Sequence, residues 1–140
     1  MIVVDTNVIT YLLIPGDYTD LAEQALRKDG EWHAPLLWRS EFRNVIASHM
    51  AFKSMRLETG PELAAKAEFI MSGREHAVTS DSVLRSASAS KCTAYDCEFI
   101  TLAQEFRVPL VTTDRVLVKK FPKAALLLRD FLRIEPEARR

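Results

Sequence analysis

Cysteine is scarce in this chain, and so is any excess of charge. The two cysteines among 140 residues are Cys92 and Cys97, whose spacing is not Cys-x-x-Cys. They offer no thiol-redox motif and read as reduced thiols of a cytoplasmic protein. The three histidines, His33, His49 and His76, lack the close pairing along the sequence expected of zinc ligands. Basic and acidic residues number 19 each, so the formal net charge is zero and the pI is near 6.8. A protein that coats nucleic acid without specificity usually shows a basic excess. An enzyme that cuts nucleic acid is not excluded, because acidic metal ligands cancel basic contacts in the count. No apolar run approaches the ~20 residues needed to span a bilayer, so no membrane partner is expected. The N-terminus opens on a strand pattern, without the basic region of a signal peptide. Repeats, low-complexity tracts and linkers are also absent, which makes residues 1–140 one expected domain.

What is present is an alternation of strands and helices. Ile2 to Val4 is a continuous apolar run, as in a strand buried on both faces. A short helix follows over Asn7 to Ile14, stopped by Pro15-Gly16. The stripe Leu21, Ala22, Ala25 and Leu26 predicts a helix over Asp20 to Lys28, with Asp20 as its N-cap and Gly30 as its stop. Trp32 to Ala34 reads as a strand. A longer helix runs from Leu37 to Lys53, with Phe42, Val45 and Ile46 inward. Further helices are expected over Pro61 to Met71, Asp81 to Ser90 and Thr93 to Glu105. The last of these carries an inward stripe through Tyr95, Phe99, Leu102, Ala103 and Phe106. Further strands are expected at His76 to Val78, Val108 to Val111 and Ala125 to Leu128, with a helix after Asp114. The order predicts an α/β fold: a mostly parallel sheet between two helical layers.

Against this pattern, four carboxylates stand where apolar residues are expected. Asp5 and Asp114 each end an apolar strand, and ligands of such folds bind outside the carboxyl ends of the strands. Glu41 lies on the apolar side of its helix, with Trp38 three residues before it and Val45 four after. Asp96 lies on the stripe continued by Phe99, Ile100 and Ala103. Taken singly, each acid has an ordinary structural reading. Asp5 and Asp114 can cap the helices that follow them. Glu41 can pair with Arg39 or Arg43, and Asp96 can be a first-turn acid favoured by the helix dipole. Together they make a site the better reading. Two like charges about 5 Å apart repel by roughly 3 kcal/mol at an effective dielectric near 20. With no basic residue at an inward position, a hard divalent cation such as Mg²⁺ or Mn²⁺ is the natural partner.

The segments Val4-Asp5-Thr6-Asn7, Glu41 with Asn44, Ala94-Tyr95-Asp96 running into Thr101-Leu102-Ala103, and Leu110-Val111-Thr112-Thr113-Asp114 resemble the four acidic motifs of PIN domains. The resemblance spans essentially the whole chain and keeps the motif order. In size the chain is most similar to the VapC-type toxins of toxin–antitoxin modules. The resemblance implies a three-layer α/β/α fold and an Mg²⁺- or Mn²⁺-dependent endoribonuclease. It implies Asp5, Glu41, Asp96 and Asp114 as metal ligands, with Asn7 and Thr112 as polar supports of the pocket. It further implies a homodimer and a cognate antitoxin, whose helix would lie in an apolar groove. Met50-Ala51-Phe52 and Met55 have the soft apolar character of such a groove; ordinary helix packing is the alternative. Glu98 departs from the pattern and reads as a surface acid or an outer ligand.

RNA would need basic contacts near the acids. Arg115, Lys119, Lys120 and Lys123 follow Asp114, and Arg39, Arg43, Lys53 and Arg56 lie on or just after the Glu41 helix. Each can equally belong to a solvated basic face. Trp38 can stack on a base or sit in the core. A receiver-like phosphoacceptor domain would require adjacent acids after the first strand, and an aspartate-nucleophile phosphatase would require Asp-x-Asp there; the sequence has Asp5-Thr6-Asn7. A PIN-like module that binds RNA or protein without cutting is the remaining alternative.

Overall fold

The computed structural model describes residues 1–135. Strands and helices alternate along it. β1 (Ile2–Val4) leads into α1 (Thr6–Leu13) and α2 (Thr19–Lys28), and β2 (Trp32–Pro35) into α3 (Leu37–Phe52) and α4 (Thr59–Ile70). β3 (Glu75–His76) leads into α5 (Ser80–Ser90) and α6 (Ala94–Phe106). β4 (Leu110–Thr112), α7 (Arg115–Lys120), β5 (Ala125–Leu127) and α8 (Leu128–Arg133) complete the order.

The sheet order is β3-β2-β1-β4-β5, and every neighbouring pair is parallel. From β1 the chain moves outward to β2 and β3, then crosses back to β4 and β5. Right-handed crossovers place α1 to α4 on one face and α5 to α7 on the other. The result is a three-layer α/β/α fold. Val3, Val4, Leu110 and Val111 are fully buried in the middle layer, which is why these strands read as unbroken apolar runs. α6 crosses β1, β2 and β4, and α8 returns to pack on α2. The direction of strand succession reverses between β1 and β4, the place where an open α/β sheet leaves a crevice at its carboxyl edge.

Several expectations need correction. Tyr95 does not continue the inward stripe of α6; it is 63% exposed, while Cys97, Phe99, Ile100, Leu102 and Ala103 fill the buried face. Residue 95 is only one position past the N-terminus of the helix, in the turn before its first buried residue, Cys97. Asp20 is not the cap of α2 but lies in its first turn, after Tyr18 at the cap position. Val45 is only partly buried beside the buried Phe42 and Ile46. Trp38 is 1% exposed and donates from Nε1 to Glu75, so it belongs to the core. The helix α8 has no counterpart in the sequence reading, which ended on a strand at residue 128.

The histidines also differ from expectation. His33 Nδ1 and His76 Nε2 stand 2.7 Å apart, because β2 and β3 are hydrogen-bonded neighbours. Their rings stack with centroids 5.0 Å apart, and Phe106 meets both edge-on. The pairing runs through the sheet, so sequence spacing could not reveal it.

Candidate active site

The four acids reach one region from four different elements. Asp5 follows β1 and Asp114 follows β4, and these strands are neighbours in the sheet. The connection is locked by the Asp5 N–H, which donates to Val111 O at 3.0 Å. Glu41 lies in the second turn of α3 and Asp96 in the first turn of α6. One helix from each face of the sheet therefore contributes one acid to its carboxyl edge.

Hydroxyl groups hold the acids in place. Asp5 accepts the Thr6 N–H on Oδ1 at 2.8 Å and the Thr112 hydroxyl on Oδ2 at 2.7 Å. Thr112 Oγ1 in turn accepts the Asp114 N–H at 3.0 Å, tying the two strand-end acids together. Asp114 Oδ1 accepts the Leu117 N–H at 3.1 Å and caps α7. The Thr6 hydroxyl donates to Glu41 Oε1 at 2.7 Å. Thr93 caps α6 by accepting the Asp96 N–H at 3.1 Å, which fixes the turn that presents Asp96. The capping reading and the site reading therefore hold together: each carboxylate oxygen has two lone pairs, and capping occupies only one of them.

Electrostatics bind the acids into one unit. Burial, opposed by the Thr112 and Thr6 hydrogen bonds and reinforced by Glu41 and Asp96, pushes the Asp5 carboxyl up to about 6. Burial also raises Glu41, with Asp96 and Glu98 adding to the effect and the Thr6 hydroxyl opposing it. Asp96 is raised by burial and by the charge of Asp114, against its bond to Thr93. Among the described residues, no lysine, arginine or histidine forms an ion pair with any of the four. No group of three or more His, Cys, Asp or Glu side chains among the described residues closes into a ready metal cage.

Other candidate residues fall variously. Thr112 is fully buried at the centre of the acid network, whereas Asn7 is exposed on the first turn of α1. Glu98 is half-buried and raised by burial, and its charge adds to the raising of Glu41. Arg115, Lys119, Lys120 and Lys123 are all exposed, and Lys120 donates to Ser90 O. Arg39 is held by Glu75 and Glu68, and Arg43 and Arg56 stand near Glu68 and Glu58. Thr6 is the functional position that the sequence reading missed. Its one signal is a hydroxyl residue directly after Asp5, since its partner lies on another element. A groove of about 660 Å³ between α5 and α6 contains none of the four acids, so chemistry and not size marks this site.

Comparison with known proteins identifies the family and the fold. The chain is 29% identical over 126 residues to Ribonuclease VapC3 of Pyrobaculum aerophilum, covering 86% of this chain and 95% of that protein. Its fold is similar to the crystal structure of PAE2754 from Pyrobaculum aerophilum, with a TM-score of 0.70 and 21% identity over 93% of this chain and 92% of that one. It is similar also to the structure of FitAB bound to the IR36 DNA fragment, with a TM-score of 0.72 and 17% identity over 99% and 100% of the two chains. The family model described as PIN domain matches residues 2–124. With that match over most of its length, the chain belongs to the PIN domain family.

Proposed function

We propose that this protein is a metal-dependent endoribonuclease that hydrolyses RNA phosphodiester bonds, and that it serves as the toxin of a toxin–antitoxin pair. The observation that carries the nuclease reading is the convergence of Asp5, Glu41, Asp96 and Asp114 at the sheet edge with no cationic side chain paired to them. Similarity to a protein named a ribonuclease favours RNA as the substrate.

The residues fit a hard divalent cation such as Mg²⁺ or Mn²⁺. All the donors are oxygens, and Asp5, Glu41 and Asp96 are raised by burial with the charge of a neighbouring acid adding to it, so a cation among them relieves a cost already built into the fold. Asp5, Asp96 and Asp114 would hold the ion, with Glu41 at its margin. When bound, such an ion supplies Lewis-acid polarisation of the phosphoryl group and lowers the pKa of an attacking water. The protein itself does the positioning. Thr112 fixes the Asp5 carboxylate against the Asp114 backbone, and Thr6 fixes Glu41 against α1. Asn7, exposed two residues after Asp5, is placed to meet substrate more readily than to brace the acids.

The toxin role rests on the apolar groove between α3 and α4. Ile46, Met50, Leu57, Pro61 and Ala64 line a cavity of about 210 Å³, bordered by Arg43. Phe52 beside it is 84% exposed. An antitoxin helix with an apolar stripe fits this groove, and homodimerisation and a cytoplasmic location belong to the same reading.

The test is incubation of purified protein with total cellular RNA in Mg²⁺, Mn²⁺ or EDTA, beside an Asp5→Asn variant. Discrete fragments that vanish in EDTA and in the variant are expected. Full activity of a folded Asp5→Asn protein would overturn the assignment.

A further inference from the structure

Next to the acids lies a second small pocket, lined by Tyr18, Thr113, Arg115, Leu127, Leu128 and Arg129. Thr113 and Arg115 flank Asp114 in sequence, so one wall of this pocket is the edge of the acid site. The opposite wall comes from the junction of β5 and α8, where Leu127 ends the strand and Arg129 is exposed. Neither Arg115 nor Arg129 has a carboxylate partner among the described residues. Arg39, by contrast, is held by Glu75 and Glu68, and Arg43 stands near Glu68. Two of the lining residues, Thr113 and Tyr18, are themselves held by Tyr11. Tyr11 Oη and Thr113 Oγ1 stand 3.2 Å apart, and the Tyr18 ring stacks on Tyr11 with centroids 4.8 Å apart.

We infer that this pocket is a phosphate subsite that grips the RNA phosphodiester next to the scissile one; this rests on the endoribonuclease reading above. Arg115, Arg129 and Thr113 all line it, and two guanidiniums with a hydroxyl are a donor set that matches phosphate oxygens. Its volume of about 50 Å³ exceeds the ~10–15 Å³ that one water needs. Leu127 and Leu128 form the apolar side of the pocket. The strand is thereby oriented: one phosphate sits among the acids, its neighbour on Arg115 and Arg129. Arg129 enters the site only through the β5–α8 turn, so nothing in its sequence neighbourhood connects it to Asp114.

The experiment measures binding of a labelled single-stranded oligoribonucleotide of mixed sequence to full-length Asp5→Asn protein across a salt series. Arg115→Gln and Arg129→Gln are each expected to weaken binding several-fold, equally for different base sequences. The double variant is expected to flatten the log K against log salt slope by about 0.7, the value for one phosphate on a single strand. Arg85→Gln, remote and paired with Asp81, is expected to leave Kd and slope unchanged. A slope loss of about twice that value would mean two separate phosphates, and would overturn the shared subsite. Unchanged binding in the double variant, while the wild-type protein still cleaves RNA, would overturn the subsite and leave the nuclease standing. Absence of RNA binding together with absence of wild-type cleavage would overturn both.

Discussion

The Thr6 hydroxyl donates to Glu41 Oε1 at 2.7 Å, across 35 residues of sequence. Thr6 is 4% exposed, and its own N–H holds Asp5 Oδ1 at 2.8 Å. One residue thus orients two acids of the site. Thr6→Val keeps the shape and removes the donor. It should weaken Mn²⁺ binding and slow RNA cleavage several-fold, while Thr6→Ser restores both. Calorimetric titration with Mn²⁺ checks this apart from turnover. Equal Mn²⁺ affinity in the Val and wild-type proteins would show that the hydroxyl has no orienting role.

Asp5 gives a stability prediction with a definite sign. Its carboxyl is raised from 3.8 to about 6, chiefly by burial. The native state therefore binds a proton more tightly than the unfolded chain between these values. Stability falls as pH rises through that window. Glu41, Asp96 and Glu98 shift in the same direction. Asp5→Asn removes the cost of the buried charge and should stabilise the metal-free protein at pH 7 by about 1–3 kcal/mol. It should do little at pH 4. Thermal melts in EDTA at both values decide it. A variant less stable than wild type at pH 7 would show that the Asp5 bonds outweigh its burial.

The same repulsion makes added metal a stabiliser. If Mn²⁺ enters among the acids, wild-type Tm should rise with Mn²⁺ concentration by ordinary linkage to the native state. The rise should be larger at pH 8 than at pH 5, where protons compete for Asp5. Asp5→Asn and Asp114→Asn should lose most of it. A Tm insensitive to Mn²⁺ at pH 8 would remove the case for a cation at this edge.

The parts of this molecule that were legible in the sequence are those written in local pattern. The β1 and β4 runs are apolar throughout because neighbours cover both faces of the sheet, and Asp5 and Asp114 are conspicuous because they end such runs. Glu41 and Asp96 are legible through helical spacing. What was not legible depends on contacts between distant segments. Thr6 looks like any first-turn threonine until α3 is laid against α1. His33 and His76 become a pair only once β3 docks on β2. Glu98 reads as a surface acid by position on its helix, yet the packing of α6 brings its charge to bear on Glu41. The stripe of α6 was extended one residue too far, to Tyr95, because periodicity does not say where the sheet beneath a helix ends.

The histidine pair offers a test that is independent of catalysis. Glu31 Oε2 lies 3.2 Å from His33 Nε2, so that nitrogen carries the proton. The opposite nitrogen, Nδ1, is then a lone pair, and at 2.7 Å it must accept from His76 Nε2–H. Both neutral rings are thus expected as Nε2–H tautomers. Burial, followed by the charge of His33, pulls the His76 pKa below 6.5, against the pull of Glu105 and Glu75. A histidine depressed in the native state binds its proton more readily in the unfolded chain. Its contribution to stability is full above the unfolded pKa and is lost as pH falls below about 6.5. This runs opposite to Asp5, so the two can be separated. In the Asp5→Asn background, Glu41, Asp96 and Glu98 still act in the opposite sense, so the comparison is within that background: adding His76→Gln should make the protein relatively more stable at pH 5 than at pH 7. Nitrogen chemical shifts of the two imidazoles at pH 7.5 read the tautomers directly. An Nδ1–H form of His33 would break the chain of donors that runs from His76 through His33 to Glu31, and would require His76 to accept where it is expected to donate.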